Sequence, residues 1–181
     1  LEVNSGEIDV NIRALQTRNT ERLIAGQYAH QSRPKLDVQD IHAYLTMERN
    51  ETPLLSFANW EMGLSQDLPW QIVVSSLLGQ ISADLSDIIL QNALLNTGIG
   101  DIHITCPAEA FETIYIRSLL GNIIISTPHG YNVRITIEHK RFFNITIDET
   151  RYEEIEDGVY ASIAVDEELA IVDIVINGTF G

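Results

Sequence analysis

The sequence predicts an all-β fold, a short single-domain β-solenoid, right-handed and β-helix-like, with 21-residue rungs and an irregular N-terminal β layer. Three observations carry that expectation. The first is a repeat: Gly79, Gly100 and Gly121 recur every 21 residues and open similar phrases, Leu78-Gly79-Gln80-Ile81, Ile99-Gly100-Asp101-Ile102 and Leu120-Gly121-Asn122-Ile123. Self-similarity at a fixed period marks repeat architectures. The second is an apolar pattern inside the repeat. Counted from the glycine slot, with Ala58 in that slot one rung earlier, positions two and four hold Trp60/Met62, Ile81/Ala83, Ile102/Ile104 and Ile123/Ile125. Positions fourteen and sixteen hold Ile72/Val74, Ala93/Leu95, Ile114/Ile116 and Ile135/Ile137. All of these are apolar in a chain that is 45% hydrophobic, so composition does not explain them. A spacing of two keeps both members of a pair on one strand face. The third is residue type, because β-branched enrichment and turn-forming Gly-Asp and Gly-Asn oppose a helical solenoid.

The elements follow in chain order. Residues 1–57 read as the N-terminal layer and cap, in which Ile8, Val10 and Ile12 alternate as a strand. Arg22 to Tyr28 contains Leu23, Ile24 and Gly26, the run breaks at Ser32-Arg33-Pro34, and Ile41 to Met47 alternates again. A helix over Val38 to Arg49, capped by Asp37, competes with a strand there, and the strand is preferred. Residues 58–181 read as one continuous solenoid in which every rung supplies two short strands with an inward apolar pair. Phe143-Asn144-Ile145-Thr146-Ile147 continues the pattern in a shifted register. An acidic insertion follows, and Ala161 to Val165 and Ile171 to Ile176 close the chain as alternating strands. No rung could bury its apolar pair alone, so neighbours must supply the partners and both ends need caps.

Charge excludes one class of partner. With 26 acidic and 11 basic side chains the formal net charge is −15, which repels phosphate backbones and anionic lipid surfaces, so no nucleic-acid partner is expected. The first 50 residues hold 7 of the acidic and 6 of the basic groups, so the excess lies in the solenoid and tail. The one cysteine, Cys106, rules out an internal disulfide and a thiolate zinc cluster. No His-containing motif accompanies it, so a small buried apolar role is expected rather than a nucleophile. No apolar run approaches the roughly 20 residues that span a bilayer. The absence of an initiator Met before Leu1 leaves two expectations, a removed upstream segment carrying a signal peptide or anchor, or a domain cut from a larger cytoplasmic protein.

Candidate chemistry is sparse, and the expectation is no catalytic, cofactor-binding or metal-binding residue. Asp101 and His103 lie two apart on one outward strand face, where a metal or proton-transfer site could form, but a solvated face is the plainer reading. His129 sits in the turn Thr127-Pro128-His129-Gly130 and reads as a turn residue. His30, His42 and His139 have no readable partner. Asp148, Glu149, Glu153, Glu154, Glu156, Asp157, Asp166, Glu167 and Glu168 form an acidic 148–168 stretch. Hard cations favour such oxygens, yet no calcium loop appears and the stretch reads as solubility and edge protection. Gly98-Ile99-Gly100 lacks the third glycine and the helix of a nucleotide loop. Paired carboxylates could serve glycoside cleavage, though acidic residues are too common here to point to a pair. Tyr115 and Tyr131 could stack on sugars or pack under loops. Asn50, Asn144 and Asn177 each begin an N-x-T triplet, to which no role is attached.

The phrases Asn96-Thr-Gly-Ile-Gly-Asp-Ile-His-Ile-Thr and Ser118-Leu-Leu-Gly-Asn-Ile-Ile-Ile-Ser-Thr-Pro, with Gly130-Tyr-Asn-Val-Arg-Ile, resemble rungs of the toast-rack family. That family includes the C-terminal domains of LiaF-like, cell-wall-active antibiotic response proteins and related adhesins of bacterial envelopes. The resemblance covers Pro69 to Ile137 well, and Ala14-Leu15, Leu23 to Tyr28 and Pro69 to Ile72 more weakly. Leu77 and Leu119 depart from it, standing where the first glycine of the G-x-G phrase belongs. The resemblance implies a fold more strongly than an activity, since the family has no catalytic residues to carry over. It implies a noncatalytic, extracytoplasmic or envelope domain acting in protein interaction, scaffolding or envelope-stress sensing. A carbohydrate-binding adhesin module is the alternative and a polysaccharide-active enzyme the third reading. The expected partners are an envelope protein or a cell-surface glycan, with homo-oligomers possible through solenoid ends or edges.

Overall fold

The computed structural model describes residues 1–16, 22–27, 34–40, 42–48, 59–138, 144–163 and 168–180, and the fold is all-β over them. The N-terminal region supplies β1 (Glu2–Gly6), β2 (Asp9–Ala14), β3 (Ile24–Gln27), β4 (Lys35–Gln39) and β5 (His42–Glu48). The strand preferred over a helix near residue 41 is therefore present. The repeat region supplies β6 (Asn59–Leu64), β7 (Trp70–Leu78), β8 (Ile81–Asp84), β9 (Leu90–Ile99), β10 (Ile102–Thr105), β11 (Ile114–Leu120), β12 (Ile123–Ser126) and β13 (Asn132–Glu138). The chain finishes with β14 (Tyr152–Glu156), β15 (Val159–Ser162) and β16 (Ile171–Phe180). Ala58, in the earliest glycine slot of the repeat, lies outside the described residues.

Two sheets share one core. The larger runs β14-β15-β13-β16-β11-β9-β7-β1-β5-β4 and the smaller β12-β10-β8-β2-β6-β3. The pairs read from the repeat point inward: Ile81, Ala83, Ile102, Ile104, Ile72, Val74, Ala93, Leu95, Ile114 and Ile116 are all buried. Their registers keep the 21-residue step, with Ile81 beside Ile102, Ile102 beside Ile123, Ile72 beside Ala93 and Ala93 beside Ile114. Ile81, Ile102 and Ile123 thus form a column, as the alternation requires.

Stacking order departs from chain order at both ends of the repeat. Trp60 and Met62 occupy the expected column but do not lie next to Ile81 and Ala83. Strand β2 comes between, pairing Val10 with Trp60 on one side and with Ile81 on the other. In the larger sheet β1 likewise separates β5 from β7. The first two strands are therefore an interior rung, with Val3, Ile8, Val10 and Ile12 buried. At the far end, Ile135 and Ile137 share the column of Ile114 and Ile116 only through β16, whose Ile174 and Ile176 lie between them. The physical reason is the same in both places. An apolar pair on a strand can stack on any similar pair, and insertion satisfies both hydrogen-bonding edges of the inserted strand.

The glycine slot shows why the repeat is spelled as it is. Gly79, Gly100 and Gly121 have φ of 158°, 149° and 146°, in a region that side-chain-bearing residues rarely adopt. A hydroxyl ladder lies beside them: buried Thr97 donates to the Gly79 carbonyl at 3.2 Å and buried Ser118 to the Gly100 carbonyl at 3.4 Å. Gly178 pairs with Ser118 in the next layer, so that layer brings no hydroxyl to this column.

Candidate interaction surface

The outward residues of the larger sheet form columns as regular as the core. Val73, Leu94, Tyr115, Val175 and Thr136 stand side by side on five adjacent strands. Next to them run Ser75, Asn96, Arg117, Asn177 and Glu138, where Asn177 Nδ2 donates to Glu138 Oε2 at 2.9 Å. Tyr115 is 52% and Leu94 41% exposed, so an apolar stripe with an aromatic ring at its middle faces solvent beside a polar one. At the C-terminal ends of β7, β9 and β11, Leu77, Leu78, Ile99, Leu119 and Leu120 are also exposed. Such aligned apolar side chains on a sheet face are the kind of surface that binds protein or sugar rings.

A second feature lies at the β12 end of the stack. Ile123, Ile125, Ile135, Ile137 and Ile176 line a cleft of about 510 Å³, with residues 144–148 on another wall. Ile145 and Ile147 are half-buried there, so the shifted alternation read in the sequence does turn inward. Thr127, Arg151, Tyr152 and Asp148 line the same cleft. Arg151 Nη2 and the Tyr152 hydroxyl both reach Thr127, the guanidinium donating to its carbonyl and the phenol bonding its hydroxyl. Thr127 Oγ1 also lies 3.6 Å from the thiol of Cys106. Asp148 accepts from the hydroxyl and the amide of Thr150 at 2.6 and 3.0 Å, and these bonds hold its carboxyl below the usual range.

Cys106 is the buried apolar residue expected of it. Burial pushes its thiol up to about 11, against a smaller opposite pull from Thr127 and Arg151. Burial also raises Tyr152, opposed by its bond to Thr127. For Cys106 the sign is unambiguous: the unfolded thiol ionises near 9.0, the folded one near 11. Folding stability is therefore intact below pH 9 and falls as the pH rises from 9 to 11. The loss approaches roughly 3 kcal/mol at about 1.36 kcal/mol per pH unit. Urea denaturation of the wild type and of Cys106→Ala at pH 8 and pH 11 checks this. The variant should keep only the part of the slope that Tyr152 supplies, and an unchanged slope would contradict the assignment.

The other sequence candidates scatter. Asp101 Oδ1 accepts from the backbone amide of Asn122 at 2.7 Å, so it fastens one rung to the next rather than pairing with His103. Asp9 does the same for the amide of Gln80 at 2.8 Å. His129 is an exposed turn residue. His42 stacks on Tyr44 with ring centroids 6.4 Å apart. His30, His139, Asn50, Asp166 and Glu167 lie outside the described residues. Tyr131 is half-buried and its hydroxyl donates to Ser86 O at 3.4 Å, the loop-packing alternative rather than the sugar-stacking one. The acidic stretch is partly a hairpin of β14 and β15, and strand alternation sends Glu153 and Glu154 to opposite faces. Among the described residues no group of three or more His, Cys, Asp or Glu side chains converges as a metal site would require. Sequence reasoning missed the cleft. Ile145 and Ile147 were its visible signal, but its floor depends on the insertion of β16.

No family model matches the chain, and no curated protein matches it by sequence. Its structure is similar to a crystal structure from Clostridium sporogenes described as a putative cell adhesion protein, with a TM-score of 0.75. The superposition covers 99% of this chain and 89% of that one at 17% identity, a likeness of fold.

Proposed function

We propose that this chain is a noncatalytic bacterial cell-envelope domain that acts through protein interaction, in scaffolding or envelope-stress sensing, by presenting the outer face of its larger sheet. The observation that carries the reading is the stripe Val73-Leu94-Tyr115-Val175, apolar and exposed at its middle on adjacent paired strands. The toast-rack resemblance and the fold shared with a protein described as a putative adhesin support a setting at the cell surface. A photo-crosslinking residue at position 115 in intact cells should give a discrete adduct with an envelope protein, lost in Leu94→Glu. Hydrolysis of a cell-wall glycan by the purified chain, abolished by changing one carboxylate, would overturn the reading.

Tyr115 favours a second reading, a carbohydrate-binding adhesin module. Its ring is 52% exposed and stands beside the stripe that carries Asn96, Arg117 and Asn177, an aromatic platform next to hydrogen-bonding groups. A glycan array should then show signal for the wild type and lose it in Tyr115→Ala. A blank array would count against this alternative and leave the protein-partner reading in place.

A further inference from the structure

The smaller sheet ends at β12, and the larger one does not end with it. Within the repeat one strand from each sheet makes a layer: β7 with β8, β9 with β10, β11 with β12. Beyond β11 the larger sheet continues with β16 and then β13. Residues 144–148 follow β13 in sequence and line the cleft with β12, yet no ladder joins them to β12 among the described residues. The count of layers explains the gap. Strands in a sheet lie roughly 4.8 Å apart, so β13 stands two such steps from β11 with β16 between them. The layer of β16 has no described counterpart in the smaller sheet, and the cleft of about 510 Å³ occupies that place.

The edge facing the cleft carries a complete set of strand-pairing groups. Ile102 N donates to Asn122 O and Cys106 N to Ser126 O, so the even-numbered residues of β12 are those turned toward β10. The amides of Ile123, Ile125 and Thr127, and the carbonyls of Gly121, Ile123 and Ile125, therefore point the other way. Gly121 is also the slot glycine whose following layer lacks the hydroxyl that Thr97 and Ser118 provide to Gly79 and Gly100. Below the gap lie Ile135, Ile137 and Ile176, an apolar floor for side chains at alternate positions.

We infer that this cleft receives an extended peptide strand from another polypeptide, which adds to β12 in parallel and seats two apolar side chains, spaced two apart, on that floor. Backbone complementarity specifies a strand, because a rigid small molecule could not meet donors and acceptors alternating along an edge. Parallel direction follows from β6, β2, β8, β10 and β12, which all run parallel in this sheet. The inference does not depend on the outer-face stripe, which lies on the other side of the larger sheet.

The probe is an acetylated, amidated peptide of residues 100–105, Gly-Asp-Ile-His-Ile-Thr, which already pairs with β12 in register from the opposite side. Titrated into the whole chain to about 1 mM, a range that reveals even weak binding, it should bind saturably. Exchange of the Ile123, Ile125 and Thr127 amides should slow, while the Ile124 amide, already paired, should not change. N-methylation of the peptide at the position of His103, whose amide would face Ile123 O, should weaken binding by about tenfold or more. Ile125→Lys should abolish binding and Ile124→Lys, on the exposed outer face, should retain it, with both variants checked for an unaltered denaturation midpoint. No saturable binding, protection at other amides, or indifference to N-methylation would each overturn the inference.

Discussion

Gly100→Ala is expected to destabilise the fold by about 3 kcal/mol or more, the sum of a backbone held where only glycine is comfortable and a direct collision. At Gly100, with φ of 149°, an added Cβ would lie 2.1 Å from the carbonyl oxygen of Gly79 and 2.7 Å from its carbon. Neither atom can retreat, because each belongs to a rung clamped on both sides: Gly79 N donates to Ile99 O and Gly100 N to Leu120 O. Gly130→Ala is the matched control. Its φ of 83° is also unfavourable for alanine, but nothing lies within 4 Å of the added carbon, so about 1 kcal/mol is expected. Urea midpoints of the two variants decide the matter. Equal losses would mean that backbone conformation alone, and not the stacked carbonyl, governs the slot. If Gly100→Ala gives no folded protein, Gly130→Ala folding normally under the same conditions supports the same conclusion.

Ile102→Ala is expected to cost about 2–5 kcal/mol, because its side chain is fully buried and its neighbours in the column cannot collapse into the space. Ile81 and Ile123 flank it at strand spacing, each held by its own ladder, so the lost methyl groups leave a cavity. His103, one residue later, points to the outer face and is half-buried, and His103→Ala should change stability by about 0.5 kcal/mol or less. Denaturation of the two single variants compares inward with outward positions on one strand. A loss at His103 that matches the loss at Ile102 would refute the assignment of faces. A loss below about 1 kcal/mol at Ile102 would refute the dry column itself.

Much of this is legible in the sequence. The slot glycines and the pairs Ile81/Ala83, Ile102/Ile104 and Ile114/Ile116 emerge where the spacing placed them. The same spacing lent Asp101 and His103 a shared outward face, and there the local reading suggested more than the structure contains, since the carboxylate of Asp101 is occupied by the amide of Asn122. Of the strands that escaped notice, two show why. Strand β1 offers little alternation beyond Val3 and buried Ser5, and β14 lies within an acidic run where only its pairing with β15 identifies it. Neither carries a local pattern strong enough to stand out from its surroundings. Tyr152, half-buried against Thr127 and Arg151, could not be assembled from residues 24 and 25 positions apart without knowing how the chain returns.

From sequence alone came the 21-residue repeat, the faces of its strands and the recurrence of glycine at 79, 100 and 121, all of which are read along the chain itself. The order of the rungs came from pairing across the chain. Strands β1 and β2 enter between layers that precede β7 and β8, and β16 enters between β11 and β13. Apolar pairs spaced two apart are interchangeable as neighbours, so no local pattern could select one stacking order. Long-range pairing selects it, because an inserted strand buries both of its polar edges where a terminal strand leaves one unmet. The edge of β12 that has no ladder partner among the described residues, and the cleft beside it, are consequences of that order.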